Sequence, residues 1–177
     1  MASASARVFF ALWPDGALRT ALAELAREVA QEAHGRATTQ ENLHLTLAFL
    51  GDQSARQVRA LKALAGAVAS HRFQLALDEI GSFARTGIAW LGASAPQLAL
   101  VSLQSRLALA LREAGFSLDE RPYAPHLTLA RRAGAPVRRA LARPILWNVN
   151  SFVLAASNLG RERPIYRVLA EWALDPG

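Results

Sequence analysis

His44-Leu-Thr-Leu-Ala48 and His126-Leu-Thr-Leu-Ala130 are the same five residues, placed twice in a chain of 177. Apolar residues alternate through both copies, which is the period of a β-strand and not of a helix. Successive side chains on a strand point to opposite faces. His44, Thr46 and Ala48 therefore share one face, opposite Leu43, Leu45, Leu47 and Phe49. His126, Thr128 and Ala130 likewise share a face, opposite Leu127 and Leu129. Each strand offers an imidazole and a hydroxyl above an aliphatic underside, and the small Ala48 and Ala130 leave room for a ligand. Two such strands facing each other make a site with two histidines and two threonines.

Working outward, Arg7 to Trp13 reads as a first strand, ended by Pro14-Asp15-Gly16. Asp15 is placed to cap a helix whose apolar stripe is Leu18, Leu22, Leu25 and Val29, and which His34-Gly35-Arg36 ends. Leu43 to Leu50 is the first repeat strand. Ser54 starts a second helix, with Val58, Leu61, Leu64, Ala65 and Val68 turned inward. Phe73 to Ile80 is a strand with Gly87 to Leu91 as its hairpin partner. Pro96 to Ala114 is the longest helical pattern, closed by Gly115. The second repeat strand spans Tyr123 to Arg131. Arg132 to Pro144 reads as the least ordered segment, followed by strands at Trp147 to Ala156 and Ile165 to Leu174, joined by Asn158 to Pro164. With the pentapeptide copied in equivalent contexts, the chain is expected to form two similar lobes whose repeat strands meet at a cleft. No Pro/Ser-rich linker separates them, so residues 1–177 are read as one domain.

Composition narrows the chemistry. Hydrophobic residues make up 52% and charged residues 19%, the balance of a globular protein. No apolar run approaches the roughly 20 residues that span a bilayer, and the first residues do not read as a signal peptide. Cysteine is absent, which excludes disulfides, thiolate nucleophiles and cysteine-held zinc. The expected location is the cytoplasm. The net charge of +6 comes from 19 arginines and Lys62 against 14 carboxylates, a surface suited to a polyanion. The arginines of the first helix read as a solvated face. Motifs for other phosphoryl chemistry are missing: no phosphate loop, no His-Glu-x-x-His, no Gly-x-Ser-x-Gly elbow. The carboxylates are scattered, with no pair to hold magnesium, so no metal or cofactor is expected.

Two histidines suit displacement at phosphorus. One, neutral, takes a proton from the attacking oxygen; the other, protonated, gives one to the departing oxygen. Thr46 and Thr128 are placed to hydrogen-bond the non-bridging oxygens as charge builds. A single His-x-Thr is best read as an ordinary half-buried histidine. Two copies with identical neighbours, in a chain holding four histidines, reverse that judgement. His34, at a helix end, and His71, in a turn, keep the structural reading. Phe9, Phe10 and Trp90 are assigned to the core, with Phe10 and Tyr123 kept as aromatic neighbours of the cleft.

The paired His-Leu-Thr motifs resemble the hallmark of the 2H phosphoesterase superfamily. More narrowly, the chain is similar to the bacterial and archaeal RNA 2′,3′-cyclic phosphodiesterases, historically called 2′-5′ RNA ligases. The likeness runs through Val8-Phe-Phe-Ala11, Asn42 to Gly51, Ala89-Trp-Leu-Gly92, Arg121 to Arg131, Tyr166 and Trp172-Ala-Leu174. It implies an α+β, bilobal 2H phosphoesterase fold with pseudo-two-fold symmetry, two antiparallel β-sheets around a central cleft and helices outside. It implies hydrolysis of a terminal 2′,3′-cyclic phosphate to a 2′-phosphate without metal or nucleotide cofactor, on RNA as substrate; a monomer is expected, though the sequence does not fix the oligomeric state. His44 becomes the acid that protonates the leaving 3′-oxygen and His126 the base that activates water. Thr46 and Thr128 hold the phosphate, and Arg131 matches a substrate-contacting arginine. Strict alternation turns Arg131 away from the cleft, so that role requires a bulge. The Arg132 to Arg143 segment is either an RNA guide or plain surface. The same catalytic pair allows reversible 2′-5′ ligation. The alternatives are a phosphodiesterase for 2′-5′ oligonucleotides or small cyclic nucleotides, and a non-catalytic module that binds RNA termini.

Overall fold

The computed structural model describes residues 5–157 and 165–176. The chain runs β1 (Ser5–Leu12), α1 (Gly16–Glu32), β2 (Arg36–Ala37), a 3₁₀ turn (Gln40–Asn42), β3 (Leu45–Ser54) and α2 (Ala55–Ala65). It continues with β4 (Phe73–Phe83), a 3₁₀ turn (Ala84–Thr86), β5 (Ile88–Gly92), α3 (Leu98–Glu113), β6 (Leu127–Arg131), β7 (Arg139–Val149), β8 (Ser151–Ser157) and β9 (Tyr166–Ala173). The connection Asn158 to Pro164 lies outside the described residues. Among those residues no helix is long and apolar enough to cross a membrane.

Local chemistry explains most of these elements. Ser54 and Gln57 form a reciprocal capping box: the Gln57 N–H donates to Ser54 Oγ, and the Ser54 N–H donates to Gln57 Oε1. Asp15 does occupy the N-cap position of α1, but its side chain makes no capping hydrogen bond. The Arg19 guanidinium instead donates to the Pro14 carbonyl. Leu22, Leu25 and Val29 bury the inner face of α1, and Leu100, Leu103, Leu107 and Leu111 that of α3. Each such leucine contributes about 1.5–3 kcal/mol by leaving water. At 16 residues, α3 is one shorter than α1 and not the longest helix.

All strand pairs are antiparallel, in the order β7-β4-β5-β6-β3-β1-β8-β9, with β2 added to β6. The two expected sheets are joined at the middle by one residue pair, Leu45 with Leu127. Outward from that junction each half repeats the same plan. The repeat strand comes first, then the strand that a long helix connects to it (β1 through α1, β5 through α3), then two more. The helices interlock the halves: α1 packs against β6, and α3 against β3 as well as β4. Leucines 45, 47, 127 and 129 enter one core cluster with residues from all three helices.

Two sequence expectations are corrected. Arg132 to Pro144 is not mainly loop, because β7 starts at Arg139 and pairs with β4. As an outer strand it tolerates Pro144, beside a register shift between Leu77 and Glu79. Leu141, Ile145, Trp147 and Val149 face the core, but Arg139, Arg143 and Pro144 interrupt that face in its first half, where Arg139 pairs with Glu28 and Glu32, so the period is hidden there. Trp147 to Ala156 is not one strand. The chain leaves one half after Val149, passes Asn150 and enters the other half as β8. The apolar run resumes at once beyond the break, because β8 is buried on both faces from Phe152 to Ala156.

Candidate active site

The two pentapeptides share a backbone irregularity. Phe10 pairs with Ala48 and Ala11 with Thr46, which leaves Leu47 as an extra residue in β3. Ala89 pairs with Ala130 and Trp90 with Thr128, which leaves Leu129 extra in β6. A bulge at the fourth residue of each copy restarts the alternation of faces. Ala48 and Ala130 consequently turn into the core, 7% and 0% exposed, and do not widen the cleft as expected. Phe49, expected in the core, comes out at 49% exposure, with the Arg7 guanidinium 5.4 Å above its ring. Arg131 comes out on the same side as Thr128, which the simple strand period could not allow.

Each histidine stands one position before its strand and is held by the carbonyl two residues upstream. His44 Nδ1 donates to Asn42 O at 2.7 Å, and His126 Nδ1 donates to Ala124 O at 2.8 Å. A carbonyl only accepts, so Nδ1 carries hydrogen and Nε2 is left for proton exchange in both rings. The antiparallel pairing of Leu45 with Leu127 sets His44 across from Thr128, and Thr46 across from His126. The two motifs thus meet diagonally, one histidine and one threonine from each half.

Surroundings separate the two rings. His44 stacks on Trp13 at 5.4 Å, tilts against Phe9 at 4.8 Å and takes the edge of Tyr166 at 5.1 Å. Asn42 Oδ1 accepts the Tyr166 N–H, so one residue fixes both the imidazole and part of its wall. Burial lowers the His44 pKa from 6.5 to about 4 against the opposing hydrogen bond to Asn42, and the charges of Arg131 and His126 push the same way. His126 meets the edge of Phe83 at 5.0 Å, and Phe83 leans on Trp90. Trp90 lies across Gly81 and Gly92, where a Cβ would fall 2.2 and 2.9 Å from its ring. Burial also lowers the His126 pKa, opposed by the bond to Ala124 and aided by Arg131.

Beside these rings lies a cavity of about 720 Å³, with His44, Thr128, Arg131 and Tyr166 on its wall. His126 and Thr46 lie outside that wall, on the other side of the junction. Phe10 is fully buried against Phe152 and Trp172 and does not reach the cleft, while Phe9, buried as expected at 4% exposure, is the one whose ring also faces His44. The signal was present in Arg7 to Trp13, where both strand faces are apolar and one carries Phe9, Ala11 and Trp13. Tyr123 does not offer its ring to the cleft. Its hydroxyl donates to the Thr46 carbonyl at 3.0 Å and ties β3 to the segment before β6. Among the described residues no group of three or more His, Asp and Glu side chains could hold a metal ion.

A family model described as the 2′-5′ RNA ligase superfamily matches residues 14–161. The chain belongs to that superfamily. It is 36% identical to the RNA 2′,3′-cyclic phosphodiesterase of Escherichia coli K12 over 171 residues, 95% of this chain and 96% of that protein. It is 29% identical to the enzyme of the same name from Thermus thermophilus, covering 95% of this chain and 90% of the other. Among solved structures, E. coli LigT complexed with 3′-AMP superposes with a TM-score of 0.87 at 34% identity, over 97% of this chain and 99% of that one. The α+β fold expected from the twin motifs is therefore the fold of the superfamily.

Proposed function

We propose that this protein is an RNA 2′,3′-cyclic phosphodiesterase and that His44, His126, Thr46, Thr128 and Arg131 form its active site. The observation that carries the reading is the diagonal pair of histidines, each tied through Nδ1 to a carbonyl and each two residues from a threonine. Water attacks phosphorus as His126 Nε2 removes its proton. The bond from phosphorus to the 3′-oxygen breaks, and His44 Nε2 protonates that oxygen. The product carries a 2′-phosphate and a free 3′-hydroxyl. Thr46 and Thr128 donate to the non-bridging oxygens, and the Arg131 charge balances the pentavalent anion. Burial favours neutral imidazoles, whereas an anionic phosphate against them favours the charged form, so substrate raises both pKa values at the moment an acid is needed. The same steps with a 5′-hydroxyl attacking in place of water join two ends through a 2′-5′ phosphodiester, and their reverse, attack of the 3′-oxygen with loss of the 5′-hydroxyl, cleaves that linkage back to the cyclic phosphate. Both histidines come from one chain, in keeping with a monomer, and a chain free of cysteine suits the cytoplasm.

The test is hydrolysis of a short RNA ending in a 2′,3′-cyclic phosphate, with EDTA present. Wild type should yield a 2′-phosphate, and His44→Ala and His126→Ala should each lose about 10²–10⁴ in rate. RNA that binds but is never turned over by wild type would instead mark a module that grips terminal phosphates.

A further inference from the structure

The cavity beside His44 continues beyond the residues the reaction uses. Its far wall is the later part of α1 at Ala23 and Arg27 and the segment from Arg36 to Asn42. Four arginines line it, Arg27, Arg36, Arg131 and Arg132, against one carboxylate, Glu41. Among the described residues none of the four is in a salt bridge, whereas Glu28 and Glu32 on the same helix are taken up by Arg139. Arg27 is exposed, as a solvated helix face requires, and stands on the cavity wall without an ion-pair partner among the described residues.

Three features show that the fold works against itself here. Arg36 and Arg131 are directly paired across β2 and β6, and like charges in that arrangement repel. Arg132 holds a left-handed backbone at φ 54, uncommon for a residue with a side chain, and lines the same space. Thr38, also on the wall, has a buried hydroxyl without a hydrogen-bond partner. An anion set among the arginines relieves the repulsion. The volume of about 720 Å³ lies within the range of roughly 300–1,000 Å³ of ligand pockets, enough for a nucleotide.

We infer that this arm of the cavity holds the nucleotide immediately 5′ of the cyclic end, with its phosphodiester among Arg27, Arg36 and Arg132. The inference rests on the phosphodiesterase reading and on His44 standing at the departing 3′-oxygen. In an in-line displacement water enters from the side of His126, so the ribose lies on the side of His44. The strand upstream of that ribose leaves past His44, where the cationic arm begins. The substrate class is then an oligonucleotide, recognised through its backbone, and not a cyclic mononucleotide.

The experiment compares kcat/KM for adenosine 2′,3′-cyclic phosphate, for the adenosine dinucleotide ending in the same group, and for that dinucleotide with a neutral methylphosphonate linkage. Wild type, Arg27→Gln/Arg36→Gln and a charge-matched control, Arg59→Gln/Arg112→Gln, are run together. For wild type the dinucleotide should exceed the mononucleotide about tenfold, the worth of one charge-assisted hydrogen bond. Its preference should fall with salt with a slope steeper by about 0.7, the value for one single-strand phosphate contact. That ratio should collapse toward one in Arg27→Gln/Arg36→Gln and for the methylphosphonate, and survive in the control. Equal turnover of mono- and dinucleotide by wild type, or a ratio lost equally in the control, would overturn the inference and leave the phosphodiesterase reading standing. No turnover of either cyclic phosphate would remove both.

Discussion

The halves around His44 and His126 are alike in backbone and unlike in what lies against the ring. Each has the same pentapeptide, the same bulge at its fourth residue and the same carbonyl anchor two residues upstream. Three aromatic rings enclose His44, however, while one edge meets His126. Bulge and anchor set where Nε2 points. The unrepeated residues Phe9, Trp13 and Tyr166 set how readily it holds a proton. Acid–base chemistry needs two groups that are equivalent in reach and unequal in protonation, and a duplicated scaffold with unequal walls supplies that.

The largest effect should come from removing either ring, and it should not follow the asymmetry. On the proposed roles, His44→Ala and His126→Ala remove different partners of one acid–base pair, so each should cost about 10²–10⁴ in kcat, and the double variant little more than the worse single one. Stability should separate them. His44→Ala leaves a void among Phe9, Trp13 and Tyr166, and His126→Ala leaves none so enclosed. Urea midpoints should fall clearly for the first and little for the second. Equal midpoints would show that the aromatic wall does not bear on the ring as described.

Protonation comes next. The folded His44 pKa lies below its ordinary 6.5, at about 4, so folding favours the neutral ring. That contribution is complete above pH 6.5 and is lost as pH falls toward 4, because the unfolded chain takes up the proton first. The expected loss is about 3 kcal/mol across that window. His44→Gln should flatten the stability profile there, and His126→Gln should flatten it less. The activity profile follows the same sign. With both imidazoles depressed, one protonated and one neutral ring coexist best on the acid side of 6.5, so kcat/KM should peak there. The kcat profile, which reports the complex, should peak at higher pH. Coincident profiles would mean that the phosphate does not touch the rings.

Gly81→Ala tests the other wall. A Cβ there falls 2.2 Å from Trp90, so the indole must move, and Phe83 and the edge held against His126 move with it. Overpacking of this kind costs about 1–3 kcal/mol. The His126 ring resonances should shift in an NMR spectrum while those of His44 stay. A shift at both would show that the two walls are not independent.

What the sequence made legible follows from side-chain period. The twin strands, the inner faces of α1 and α2 and the Ser54 box are written in spacing and residue type. The bulges at Leu47 and Leu129 are not, since leucine carries no mark of an unpaired position; Arg131 could be placed only by asking what its role required. The start of β7 stayed hidden because Arg139, Arg143 and Pro144 interrupt the core-facing row of Leu141, Ile145, Trp147 and Val149. The break at Asn150 was invisible for the opposite reason, as strand-like apolar sequence stands on both sides of it, alternating up to Val149 and continuous from Phe152 to Ala156. Arg27 and Arg36 gave no sign, because residues far apart along the chain face one cavity only after α1 packs on β6.

The smallest effect concerns how the two halves are held together. Across the centre of the sheet the ladder has one pair, Leu45 with Leu127, and the Tyr123 hydroxyl adds a bond to the Thr46 carbonyl beside it. Tyr123→Phe keeps the ring and its packing and removes only that donor. The expected cost is about 1 kcal/mol, read as a lower urea midpoint at unchanged slope. Burial raises the Tyr123 pKa above its ordinary value of 10, so the hydroxyl remains a donor through the working pH range and the loss should be independent of pH up to that value. Thr46 stands across from His126 in the junction, so a change in its carbonyl partner tilts one half against the other. A small rise in KM with kcat nearly constant would show the junction loosening while the diagonal pair keeps its reach. A fall in kcat as large as that of the histidine variants would mean instead that the single-pair seam, and not the anchors at Asn42 and Ala124, sets the distance between acid and base.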